Sequence, residues 1–410
     1  MKIAKPSAHG FDASRLAAID ALLQTRYLDS GKLPNAQLLI ARDGEVVHFS
    51  HAGAAREDGK TVDEGSLFRI ASMTKPITSV AFMMLVEQGL VAVDTPVHHV
   101  LPEFKDIGVY DGGGGSGAGG APFVTKPTAE PMRMIDLLRH TAGLTYSFQN
   151  RSNIDAAYRE AKIENWHGGH DLDGFVAALA QIPLEFSPGT AWNYSVATDV
   201  LGAVVQRVSG LPLDQFFKTR IFAPLKMKDT FFQVPKGKID RLTDCYTLVP
   251  GKGRVMYDRG ADSGWSRMPK LVSGGGGLVS TALDYHRFNT MLLNGGELDG
   301  ARILGRKTLA LMTQNHLPGK SDLATMSKSL FSEASNAGTG FGLGFAITDD
   351  VAKTMVPGSQ GEYYWGGMFS TAFFVDPIER VSMVFMTQLS PSSLYPIRRE
   401  LKTMIYAAMT

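Results

Sequence analysis

Hydrophobic positions along the chain fall into helical and alternating runs that change character from the middle to the ends. Behind Asp12, which reads as a capping residue, Leu16, Ile19, Leu22 and Leu23 recur at helical spacing. The apolar runs "AQLLIAR" and "EVVHFSHAG" follow, separated by Asp43-Gly44, a hairpin signal. Residues 72–88 predict a helix with Ile77, Val80, Ala81, Met84 and Leu85 on its apolar face. Pro76 sits in its first turn and Gly89 stops it. In the middle, "MRMIDLLRHTAG" predicts a short helix ending near Gly143. "SVATDVLGAVVQRVSG" predicts a longer one, with Val196, Val200, Leu201, Val204 and Val208 on one face and Gly210 at its end. Toward the C-terminus "FGLGFAIT", "STAFFVDP" and "VSMVFMTQ" each read as a strand, and "PIRRELKTMIYAAM" closes the chain as a helix.

Strands at both ends with helices between them predict an α/β (α+β) fold. One mostly antiparallel sheet is built from both termini, with terminal helices covering it and a helical subdomain inserted. Approximate boundaries are 1–70 and 235–410 for the α/β subdomain and 71–234 for the mainly helical one, with an active site at their interface. No internal repeat is found. The glycine-rich stretch 111–122 lacks the Gly-Lys-Ser/Thr ending of a phosphate-binding loop and reads as a mobile surface loop.

Composition narrows the function classes. The 410 residues are 44% hydrophobic and 20% charged with a formal net charge of +1, which gives no basic surface for nucleic acid or an anionic membrane. The single cysteine, Cys245, excludes an internal disulfide and reads as a small buried hydrophobe. No signal-peptide pattern or long apolar run is found, so the expected location is cytoplasmic.

The candidate chemistry begins with "SMTK". Ser72 and Lys75 are three residues apart where a β-region gives way to a helix, so both lie on one face of its first turn. The free N–H groups and dipole of that helix start favour a forming alkoxide and oxyanion. Ser-x-x-Lys alone is equally a capping serine beside a solvated lysine. In "PGTAWNYS", Tyr194 just before a long helix can accept or relay a proton. In "WGG", Gly366 and Gly367 after Trp365 permit close backbone approach, placing the Met368 N–H as a second oxyanion donor beside that of Ser72.

With these elements in order, the chain resembles the serine β-lactamase and penicillin-binding-protein superfamily, and more closely the family VIII carboxylesterases with a class C β-lactamase-like fold. The resemblance runs over nearly the whole chain, through "SMTK", "LLRHTAGL", "PGTAWNYS", "SGGGGLVSTALDYHRF" and "WGG". It departs from the class C lactamases twice. Tyr194-Ser195-Val196 replaces Tyr-x-Asn, and Trp365-Gly366-Gly367 replaces Lys-Thr-Gly. An uncharged Trp365 suits a neutral acyl or alcohol group better than a carboxylate. The resemblance implies a serine carboxylesterase for short-chain or small aromatic esters, with Ser72 as nucleophile and Lys75 and Tyr194 as base and acid. It implies a small-molecule ester as partner, with neither nucleic acid nor membrane, and no cofactor. The rivals are an acyltransferase with the same acyl-enzyme, a β-lactamase or D-Ala-D-Ala peptidase, and a binding module without activity.

Other motifs carry less. G-x-S-x-G is absent, against a Ser-His-Asp esterase. His167 and His170 in "WHGGH" lack a Glu or Cys neighbour for zinc, and no metal is expected. His140 reads as a hydrogen-bonded structural residue. Gly274–Gly277 reads as a tight turn without a chemical role. Tyr146, Phe148 and Trp166 are placed as pocket-lining residues from their positions after "HTAGL" and between helices.

Overall fold

The computed structural model describes residues 1–114, 122–329 and 336–410. Of the glycine-rich stretch 111–122, residues 115–121 lie outside the described residues, and the reading of a mobile loop falls on them.

The main sheet has seven strands: β1 (Asn35–Arg42), β2 (Glu45–Gly53), β3 (Thr339–Phe341), β4 (Ala346–Thr348), β5 (Tyr363–Gly366), β6 (Ala372–Asp376) and β7 (Val381–Met386). Their order is β3-β4-β5-β6-β7-β1-β2, antiparallel throughout. The N-terminal hairpin therefore joins the C-terminal strands along β1 and β7, with Leu39 opposite Val384. The expected sheet drawn from both ends of the chain is present.

"FGLGFAIT" is not one strand. Phe341 ends β3 and Ala346 begins β4, joined through a turn in which Gly344 has φ 102°. A Cβ there would also lie 2.2 Å from Ser79 Oγ. The turn needs glycine both for its backbone angle and for its close approach to a helix.

Side chains alternate cleanly through the sheet. On one face Leu38, Ile40, Phe374, Met383 and Phe385 pack with Leu16 and Ile19 of α1 (Ala13–Leu22) and with Leu401 and Ile405 of the C-terminal helix Ile397–Ala407. On the other, Leu39, Ala41, Phe373, Val375 and Val384 join the larger core. Each of the larger of these side chains contributes about 1.5–3 kcal/mol by leaving water. That larger core takes in α2 (Thr74–Glu87), α3 (Ala197–Ser209) and α4 (Ala282–Leu293).

The sequence predicts a one-sided α2. Instead Thr78, Ser79, Phe82 and Met83 are buried as well, because the helix runs through the interior with α3 against it. A helix buried all round places its polar residues deep in the molecule, where each needs a partner. Among the described residues no helix is long and apolar enough to cross a membrane.

Candidate active site

Ser72 lies in a short 3-10 turn, Ala71–Met73, that leads directly into α2. Ala71 adopts φ 44°, a left-handed conformation that costs an alanine roughly 1–2 kcal/mol. The surroundings fix it: Ile70 N donates to Leu278 O (3.0 Å) and Tyr285 Oη donates to Met73 O (2.9 Å). The Ser72 side chain stays partly open to a cleft while its neighbours on both sides are buried.

The Lys75 amine is buried, 3.3 Å from Ser72 Oγ. Its shorter contacts are to Tyr146 Oη (2.8 Å) and the Gly275 carbonyl (2.7 Å). It also sits 4.6 Å from the Tyr194 ring centroid. Gly274–Gly277 does form a turn, but it is more than a spacer, because it supplies the Gly275 carbonyl to the lysine. Asp199 of α3 holds that turn in place, accepting from Gly275 N (3.0 Å) and from Ser273 Oγ. A Cβ on Gly275 would fall 2.4 Å from Asp199 Oδ2, so only glycine fits there. Burial pushes the Asp199 carboxyl above its ordinary range, and the nearby Lys75 charge pulls it back down.

Tyr194 stands within an aromatic cluster. Its ring lies 5.0 Å from His140, 5.3 Å from Tyr146 and 5.4 Å from Trp365. Trp365 Nε1 donates to Tyr194 Oη at 3.3 Å. Trp365 thus orients the phenol as well as forming wall, a link that its uncharged ring does not reveal in the sequence. His140 is buried with Nδ1 3.2 Å from Ser195 Oγ, as its structural reading expects. Burial first, and the Lys75 charge second, hold its imidazole well below the usual range. Tyr146 carries more than its placement as a pocket residue implied. Burial and the neighbouring Tyr194, Asp199 and Glu164 push its phenol well above the ordinary value, so it meets Lys75 as a neutral hydroxyl.

β5 brings the glycine pair to the serine. Gly367 lies against the backbone before Ser72, where a Cβ would be 2.4 Å from Ile70 O. Gly366, pointing to the opposite face, lies over the Arg398 guanidinium, where a Cβ would be 2.5 Å from its carbon. Met368 follows directly, with its side chain exposed in the cleft wall.

The cleft in front of Ser72 is part of a cavity of about 900 Å³. Tyr146, Phe148, Trp166, Tyr194, Trp365 and Met368 all line it. Phe148 stacks on Tyr146 at 4.9 Å, and Trp166 meets Trp265 edge-on at 5.7 Å. Glu164, absent from the sequence reading, also faces the cleft. It accepts from Ser147 N (2.8 Å), and burial pushes its carboxyl up to about 7. His170 lies 3.2 Å from Ala161 O, and the His167 ring meets Trp265 edge-on. Cys245 is buried and its thiol is pushed up to about 12 by that burial.

Comparison with known proteins identifies the family and the fold. A family model described as Beta-lactamase matches residues 19–403. The chain is 32% identical over 421 residues to Esterase EstB of Burkholderia gladioli, covering 98% of each. The solved structure of EstCE1, a hydrolase with promiscuous acyltransferase activity, is 26% identical and superimposes with a TM-score of 0.77 over 96% of this chain and 99% of that one. The crystal structure of a family VIII carboxylesterase has the same fold, with a TM-score of 0.71 over 100% and 98% of the two chains at 19% identity.

Proposed function

This chain belongs to the β-lactamase family and is a serine hydrolase of that fold, and we propose that it is a carboxylesterase that cleaves short-chain or small aromatic esters through an acyl-enzyme on Ser72. The observation that carries the proposal is the bonding of Lys75. Its two short bonds, to Gly275 O and Tyr146 Oη, come from elements distant in sequence and hold the amine 3.3 Å from Ser72 Oγ, within reach of the proton it must exchange.

In this reading Ser72 Oγ attacks the ester carbonyl as its proton passes to Lys75. The N–H groups of Ser72 and Met368 hold the oxyanion. The same proton is then delivered to the departing alkoxide by Lys75 or through Tyr194, which Trp365 orients. Water then attacks the acyl-enzyme and releases the acid. The aromatic walls around Ser72 support a neutral, apolar ester as substrate. The test is hydrolysis of p-nitrophenyl butyrate together with labelling by a fluorophosphonate. Ser72→Ala is expected to abolish both, and retention of hydrolysis by this variant overturns the reading.

The likeness to EstCE1, a hydrolase with promiscuous acyltransferase activity, supports a second reading, in which the cleft beside Ser72 holds an acceptor alcohol together with the acyl group. An acyltransferase would use the same acyl-enzyme, with that alcohol replacing water. The ratio of transfer to hydrolysis at rising alcohol concentration separates the two.

A further inference from the structure

The turn that carries Met368 is held from behind. Beyond β5 the chain reverses from Gly367 to Thr371, with Gly367 N donating to Thr371 O (2.9 Å) and Ser370 N donating to Gly367 O (3.1 Å). Arg398, on the helix Ile397–Ala407, reaches across the far face of the sheet to this reversal. Its Nη2 donates to Gly367 O (2.8 Å) and to Thr371 O (2.9 Å), the two ends of the same turn. The front of the turn rests on the backbone just before the serine: Gly367 lies against Ile70 O, and Thr371 Oγ1 lies 3.4 Å from it. The turn is therefore held between Ile70, two residues before Ser72, on one side and a guanidinium on the other.

The two glycines of "WGG" divide this work. Gly367 lacks a side chain so that the turn can meet Ile70. Gly366 lacks one so that the guanidinium can sit beneath the strand, where a Cβ would be 2.5 Å from its carbon and 2.6 Å from Nη2. Both carbonyls are reached by the two N–H groups of one nitrogen, Nη2, whose directions the planar guanidinium fixes, which an ammonium on a flexible stem does less well. Bonds from a charged donor are also stronger than neutral ones.

We propose that Arg398 is a positioning residue for the oxyanion hole, setting the angle at which the Met368 N–H faces the carbonyl oxygen on Ser72. This rests on the reading of Met368 and Ser72 as the oxyanion donors. An oxyanion exists only in the transition state and the tetrahedral intermediate, so a misaligned donor lowers kcat and leaves ground-state binding nearly unchanged.

The experiment measures kcat and KM for p-nitrophenyl butyrate, and inhibition by a boronic acid that forms a tetrahedral adduct, in wild type, Arg398→Ala, Arg398→Lys and Gly366→Ala. Arg398→Ala is expected to lose about 10- to 100-fold in kcat with KM within about 3-fold, and to lose boronate affinity in parallel. Arg398→Lys is expected to recover part of that loss. Gly366→Ala, which pushes the guanidinium away while keeping it, is expected to reproduce the loss. If Arg398→Ala fails to fold, Arg398→Lys and Gly366→Ala carry the same comparison. Unchanged kcat and boronate affinity in folded variants overturn the proposal. So does a parallel change in kcat and KM that follows the fall in melting temperature. Wild-type enzyme that is not labelled at Ser72 by a fluorophosphonate overturns instead the catalytic reading beneath it.

Discussion

At the scale of single residues, the site is a set of polar atoms whose partners are distant in sequence. Trp365→Phe keeps an aromatic side chain but removes the Nε1 bond to Tyr194. One such bond contributes about 0.5–1.5 kcal/mol. The expected loss is therefore about 3- to 10-fold in kcat for p-nitrophenyl butyrate, with a folded protein by circular dichroism. Tyr146→Phe leaves a donor of the Lys75 amine without its acceptor inside the protein. That desolvation costs about 1–3 kcal/mol, and kcat/KM is expected to fall about 5- to 150-fold. Nitrocefin is expected to turn over weakly at most, because Trp365 offers a lactam carboxylate no charge; efficient turnover would reverse the weight placed on that residue. Ser72, Lys75 and Tyr194 were legible as motifs because each sits in a local pattern. Gly275 and Asp199 were not. Gly275 lies 200 residues from the lysine it accepts from, and its role is a backbone carbonyl that no side-chain type announces. Tyr146, 71 residues away, was legible as a position without its bond.

At the scale of elements, glycine decides how closely pieces can meet. α3 and the Gly274–Gly276 turn touch through Gly202 and Gly274, whose Cα–Cβ approach would be 3.3 Å, and the neighbouring Gly275 rests on Asp199. Gly275→Ala must displace either the buried carboxylate or the turn. Overpacking of this kind costs about 1–3 kcal/mol, and the variant is expected to melt several degrees lower and to lose activity beyond what the lower melting temperature accounts for. Periodicity and apolar runs found α1, α3 and the long strands of the sheet, because each carries an uninterrupted apolar pattern of its own. It missed the break in "FGLGFAIT", where Gly342 and Gly344 carry the turn and the apolar residues on both sides read as one run. It also gave α2 a solvent face, because local pattern does not report that a second layer covers it.

At the scale of the whole molecule, the far side of the sheet holds a buried ionic cluster. Glu362 is buried beside Lys402 Nζ (2.8 Å) and Tyr406 Oη (3.2 Å), and Tyr406 Oη also lies 2.6 Å from Asp376. Burial pushes the Glu362 carboxyl from 4.5 up to about 7, with Lys402 opposing and Asp376 adding to the shift. Between those values the native state keeps a proton that the unfolded chain has released. Stability from this group is therefore present below about pH 4.5 and lost as pH rises toward 7, by about 3 kcal/mol in all. Glu362→Gln cannot titrate, so its melting temperature is expected to fall less than that of wild type between pH 5 and pH 8. An equal fall in both proteins would show that Glu362 does not carry the dependence. The pairing of β1 with β7 has a consequence for synthesis. The hairpin of β1 and β2 leaves the ribosome early, yet its other edge finds no partner until nearly the whole chain has been made. Gly367 meets the Ser72 turn only then, so a nascent or prematurely ended chain carries the "SMTK" motif without an assembled oxyanion site, and an open strand edge that invites aggregation.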